Sequence, residues 1–142
     1  MRLHSHFALV AAGVLALAAL AVPQAGVAAE PGSREAIDQA AAVNTELALA
    51  YMREGNLKAA REKIDKALQQ DARTANTQMA AGFVYDKLGD KKKALSHFEQ
   101  AVKLGGKDNP DVVANAAVYF CMNGEPRRGE QYMLQAAASP LN

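Results

Sequence analysis

An all-α fold is predicted, a curved solenoid of about three helix-turn-helix hairpins, and three observations carry it. Residues 47–101 hold one pattern twice: Tyr51, Gly55, Ala60, Ile64 and Ala67 recur 34 residues later as Tyr85, Gly89, Ala94, Phe98 and Ala101. A weaker third copy follows at a spacing of 35, with Phe120, Gly124, Met133 and Ala136 in the corresponding places. Apolar residues fall at helical spacing between Gly and Pro breaks, and no segment alternates in the strand sense. A helical hairpin cannot bury its apolar side alone, so neighbouring units must stack.

The N-terminal stretch reads differently. Residues 7–22 run without a polar side chain, Pro23 and Gln24 break the run, and Val27, Ala28 and Ala29 supply small residues before Glu30. With Arg2 ahead of it, this is the pattern of a secretory signal cleaved after Ala29. Sixteen apolar residues are short of the roughly 20 that an uncleaved membrane anchor needs. The expected product is a single domain of repeats over residues 30–142, soluble in an exported compartment, with repeats at about 41–74, 75–109 and 110–142. Losing residues 1–29 removes Arg2 and no acid, leaving fifteen basic and fifteen acidic side chains. That balance offers no electrostatic attraction to nucleic acid or to an anionic membrane. The single cysteine, Cys121, has no internal disulfide partner.

Taken in order, Ser33 is an N-cap for a long helix over residues 34–53, which lacks Gly and Pro and ends at Gly55. A second helix over residues 57–70 places Leu57, Ala60, Ile64, Ala67 and Leu68 on one face. The third is expected over residues 73–87 and the fourth over residues 91–104, with Asp90 capping the fourth and offsetting Lys91, Lys92 and Lys93 at its start. Residues 105–109 form the longer loop that turns a spacing of 34 into 35. Pro110 starts a fifth helix that reaches Met122, and Pro126 starts a sixth that fades at Ser139 and Pro140. Ala60 and Ala94, facing Ala48 and Gly82, let helices approach closely, while Tyr51, Tyr85 and Phe120 fill the space between hairpins. Gly129 stands where the other copies have Ala, at a cost of roughly 1 kcal/mol in helix propensity.

The period near 34, with Ala94-x-x-x-Phe98 and the small and aromatic positions above, is similar to the tetratricopeptide repeat. The third copy resembles something narrower. Residues 114–124 and 136–142 are similar to the Asn-Tyr-Gly-x-Phe-Leu-Cys-x-x-Gly segment and Pro-Leu-Tyr ending of the type IV pilus biogenesis and stability family. Agreement is best at Asn115, Phe120, Cys121, Gly124, Pro140 and Leu141, and the match covers most of residues 40–142. The resemblance implies a periplasmic protein that helps a secretin pore assemble. The chain departs from that family in having no lipidated Cys after the signal and in stopping at Asn142, as a shortened relative would.

By that resemblance, the first helix of each hairpin lines the concave side. The groove then includes Thr45, Leu49, Met52 and Arg53, then Met79, Phe83, Asp86 and Lys87, then Ala114, Val118 and Met122. It is mostly apolar, with Arg53, Asp86 and Lys87 as charged fixings, and Met suits an adaptable recognition surface. The competing reading is that these residues merely pack against the next hairpin. Cys121 reads as a buried structural thiol. His97 is the only histidine after residue 29, so neither a metal site nor a nucleophile–base triad has support, and no Gly-rich phosphate loop is present. No cofactor, metal or catalysis is expected. Lys91, Lys92, Lys93, Arg127 and Arg128 read as solvated helix starts.

Terminal repeats normally show a polar outer face, yet Tyr132, Met133, Leu134 and Ala136 to Ala138 leave the last helix none. It is expected to dock on a partner or on a second copy, as a homo-oligomer. The function expected is an adaptor that binds a protein segment in its groove and aids assembly or stability of an envelope machine, the pilus secretin foremost by resemblance. The alternative is a structural, self-associating subunit of a larger envelope complex with no peptide ligand.

Overall fold

The computed structural model describes residue 30, residues 32–106 and residues 108–138. The expected signal segment at residues 1–29 and the closing residues 139–142, Pro140 and Leu141 among them, lie outside the described residues. Six helices follow one another: α1 (Arg34–Arg53), α2 (Leu57–Gln70), α3 (Ala75–Lys87), α4 (Lys91–Gly105), α5 (Pro110–Met122) and α6 (Pro126–Ala137). They pair as α1 with α2, α3 with α4 and α5 with α6, and the pairs stack through α1 and α2 against α3 and through α3 and α4 against α5. The described chain is an all-α stack of three hairpins, as the sequence predicts.

Local chemistry sets the helix ends. Ser33, Asn56, Asp90 and Asn109 each accept a backbone N–H of the first turn, which satisfies a donor the helix itself leaves free. The turns inside the three hairpins share one closure. Asn56 N–H donates to Tyr51 O at 2.9 Å, Asp90 N–H to Tyr85 O at 2.9 Å, and Glu125 N–H to Phe120 O at 3.0 Å. In each, the glycine (Gly55, Gly89 or Gly124) takes positive φ (+78°, +81° and +87°), which a side chain would strain. Tyr51, Tyr85 and Phe120 thus occupy equivalent backbone positions.

Helix α3 starts at Ala75 and not at Arg73. The Asp71 carboxylate accepts both the backbone N–H and the side-chain Nε–H of Arg73 at 3.0 Å, holding residues 71–73 as a turn, and Thr74 Oγ1 caps the helix by accepting from Thr77 N–H. Helix α4 runs one residue past Leu104. Cys121 is exposed, not buried as expected. A Cβ on Gly129 would lie 2.2 Å from Cys121 Sγ and 2.7 Å from the Ala117 carbonyl oxygen, so α5 and α6 approach too closely for the alanine found in the other copies. The thiol rests over Gly129 at the margin of the hairpin instead of entering its core.

Buried small residues bring the helices together, with Ala48, Ala60, Ala67, Ala94 and Ala101 wholly inaccessible. With Phe120, the largest fully buried side chain is Phe98. Its ring stacks on Tyr119 of the next hairpin with centroids 4.1 Å apart and meets Phe83 edge-on at 5.0 Å. It sits against Gly82, where a Cβ would fall 2.8 Å from the ring. Gly82→Ala should therefore destabilise the protein. Overpacking a core that cannot yield costs about 1–3 kcal/mol, against the ~1 kcal/mol of helix propensity that alanine restores. Urea unfolding should show a lower midpoint with an unchanged slope, whereas a midpoint at or above that of the parent would contradict the packing described.

Candidate functional site

Helices α1 and α3 enclose a cleft of about 620 Å³. From α1 it receives Asp38, Ala42, Thr45, Leu49 and Met52, a stripe at spacings of three and four that keeps one face of the helix toward α3. From α3 come Asn76, Thr77, Met79, Ala80 and Phe83. The floor is closed to further polar chemistry. Thr45 Oγ1 bonds to the Ala41 carbonyl at 2.8 Å and lies 3.1 Å from Thr77 Oγ1, which in turn accepts from Thr74 at 2.7 Å. The walls are the half-buried Leu49, Met52, Met79 and Phe83, which flank the central core and keep one side free. Asp38 and Glu46 on one stretch of α1, and Arg53 at its end, set the charges of the rim.

Five of the expected groove residues, Leu49, Met52, Arg53, Met79 and Phe83, meet in this cleft together with Thr45. The others stand elsewhere. Asp86 accepts a hydrogen bond from the Tyr119 hydroxyl at 2.8 Å and pairs with Lys91, which makes it part of the joint between the second and third hairpins. Lys87 is exposed in the last turn of α3, and Ala114, Val118 and Met122 sit on α5 outside the cleft. Sequence reading passes over Asp38, Glu46, Thr74 and Asn76. The signal available for the first two is their place on the same helical stripe as Thr45 and Leu49.

Burial and partners shift the titrating groups around these joints. Burial works to raise the Asp86 carboxyl, but the donors Lys91 and Tyr119 outweigh it and hold the group below its ordinary value. The donor side of that bond, the Tyr119 hydroxyl, is pushed upward by burial and by Asp86. Tyr85, whose hydroxyl donates to Asp65 of the first hairpin, is pushed up to about 12 by burial and by that carboxylate. His97 lies half-buried with its ring stacked on Tyr85 at 5.3 Å and Nδ1 2.8 Å from Gln78 Oε1. Burial, helped by the Lys93 charge, holds its pKa below 6.5. Among the described residues no group of three His, Cys, Asp or Glu side chains is placed to hold a metal ion. No helix among them is long and apolar enough to cross a membrane. The chemistry the cleft offers is burial of apolar surface with charges at its rim.

Residues 39–105 match the tetratricopeptide repeat family. A protein of Haemophilus influenzae, described as uncharacterized, is 32% identical over 101 residues, covering 71% of this chain and 56% of its own length. A solved structure, described as the functional characterization of Pseudomonas aeruginosa pilF, superposes with a TM-score of 0.66 at 23% identity over 72% of this chain and 46% of that one. The chain therefore spans about half the length of these proteins, and the structural likeness establishes the fold: a tetratricopeptide-type solenoid.

The His97 shift has a sign that can be measured. The unfolded chain takes up a proton at about pH 6.5, and the folded one only at lower pH. The neutral ring thus contributes stability that is present above pH 6.5 and is lost as pH falls through the folded value. The His97 ring resonance should titrate with a midpoint below 6.5, and His97→Gln should flatten the pH dependence of stability across that window. A midpoint at or above 6.5 would contradict the burial described.

Proposed function

We propose that the protein is an exported, periplasmic adaptor whose α1–α3 cleft holds a short, mostly apolar segment of a partner protein. The observation that carries this reading is the cleft itself, where Leu49, Met52, Met79 and Phe83 stand half-buried around a floor whose hydroxyls are already bonded to one another. Such a surface gains by covering its apolar walls and has little use for a small polar ligand. From Asp38 to Arg53 the helix rises about 22 Å, enough for roughly six or seven extended residues. The rim gives direction, favouring a basic residue of the segment beside Asp38 and Glu46 and an acidic one beside Arg53.

The envelope setting rests on the apolar leader at residues 7–22 and on resemblance. Assembly or stability of an envelope machine, with the type IV pilus secretin as leading candidate, is supported by likeness to the family of pilus biogenesis proteins and by the pilF fold. Binding without catalysis fits the repeat architecture. A second reading, a structural subunit without a peptide ligand, is favoured by the apolar side chains exposed on α1, α5 and α6.

A photocrosslinker placed at Met79 in the exporting cell should capture a discrete partner protein. The double substitution Met79→Glu with Phe83→Glu should weaken that partner's binding by more than about tenfold, since burying one such side chain is worth roughly 1.5–3 kcal/mol. The oligomeric state should not change. Loss of assembly in the double variant, with no adduct from position 79, would favour the structural subunit.

A further inference from the structure

The two ends of the described solenoid are the two halves of a joint that the chain already builds twice. At each joint the entering hairpin presents one row of its first helix. In the second hairpin that row is Thr77, Ala81 and Val84, and in the third it is Val112, Ala116 and Tyr119, all buried. Thr77 meets Thr45 of the preceding hairpin, and Tyr119 meets Phe98 and Asp86. The same row in the first hairpin is Val43, Leu47 and Ala50. Here Val43 is 56% and Leu47 38% exposed, although both side chains are larger than the residues their counterparts bury at Thr77 and Ala81. A shallow depression runs along this row.

The other end mirrors it. Ile64 and Phe98 are wholly covered at the two joints, while Met133, their counterpart in the third hairpin, is 41% exposed. Asp65 and Glu99 each bond to the hairpin that follows, through Tyr85 and Arg128. The third hairpin carries Leu134 at that position, 66% exposed. On α5 of the same hairpin, Val118 and Met122 are exposed, at 45% and 80%. Leu104 apart, every large exposed apolar side chain among the described residues lies at one end or the other. The position that holds a carboxylate in the first two hairpins holds leucine in the third.

We infer that the protein self-associates head to tail, the α1 row of one copy seating on the α5–α6 end of another. The occupant is a second copy because this contact continues a joint already established within the chain, using the same repeat positions in the same order. With residues 1–29 removed, fifteen basic and fifteen acidic side chains balance and set no repulsion against it. Such a contact is heterologous, so each added copy leaves a free row at one end and a free face at the other, and association is open-ended. The row adjoins the α1–α3 cleft, with Glu46, Leu49 and Arg53 lining both. Val43, Leu47 and Ala50 do not line the cleft, so a change at Leu47 tests this contact apart from cleft binding.

The chain, purified as processed by the exporting cell, should show a sedimenting mass that rises with concentration beyond a dimer. Leu47→Glu and Leu134→Glu, both at exposed positions, should each weaken association at least about tenfold while leaving the helical circular dichroism unchanged. Mixed together, the two variants should form a 1:1 dimer and nothing larger, because each keeps the half that the other has lost. Leu104→Glu should associate like the parent. A parent chain that stays monomeric, association insensitive to Leu47→Glu, or a mixture that stays monomeric would each overturn the inference. The first of these is also the outcome expected if a different protein covers the α1 row.

Discussion

Phe98 is the point at which the solenoid is held in register. Its ring is cut off from solvent, stacked on Tyr119 ahead and edge-on to Phe83 behind, and it occupies the space that Gly82 leaves by having no side chain. Burial of an aromatic ring this completely contributes on the order of 2–3 kcal/mol, and its placement ties α3, α4 and α5 to one another. The polar contacts of the joints are arranged around it. Tyr119 reaches Asp86, Arg128 reaches Glu99, and Tyr85 reaches Asp65, each bond crossing from one hairpin to its neighbour.

The repetition extends to how the aromatics are flanked. Lys93 lies over Tyr85 at 4.6 Å and Arg128 over Phe120 at 4.7 Å, each cation eight residues beyond its ring. His97 packs on Tyr85 and Tyr132 on Phe120, each twelve residues beyond. The first hairpin has Ala59 and Lys63 in those places, and Tyr51 is only half-buried. The side of α1 toward α3 is finished by neighbours and forms the cleft, and the adjoining side carries the row that later hairpins bury.

Much of the fold is legible in the sequence because its signals are local. Ser33, Asp90 and Pro110 mark helix starts and Gly55 and Gly89 mark stops, and α1, α2 and α5 span the residues expected of them. Periodicity places the start of α3 two residues early because the Asp71–Arg73 bond is a side-chain contact that helical spacing does not register. Cys121 departs from expectation for a related reason. Its apolar neighbours suggest burial, whereas its exposure depends on how near α6 comes at Gly129. Leu49, Met52, Met79 and Phe83 can be grouped from helical spacing, but the part played by Asp38 and Glu46 depends on the crossing of α1 over α3. The separation of Val118 and Met122 from the cleft depends on where the stack ends.

The phenols of Tyr85 and Tyr119 make alkali a selective agent on this molecule. Both bridge hairpins, both donate to a carboxylate, and both hold their protons more firmly than a free tyrosine, Tyr85 up to about 12. A group whose folded pKa is raised contributes stability that is complete below the unfolded value, near 10 for tyrosine, and vanishes as pH climbs through the folded one. Above about pH 10 these two bonds therefore weaken, and both run between hairpins. In a lime-like environment the first bonds to fail would be the ones that tie each two-helix link to the next.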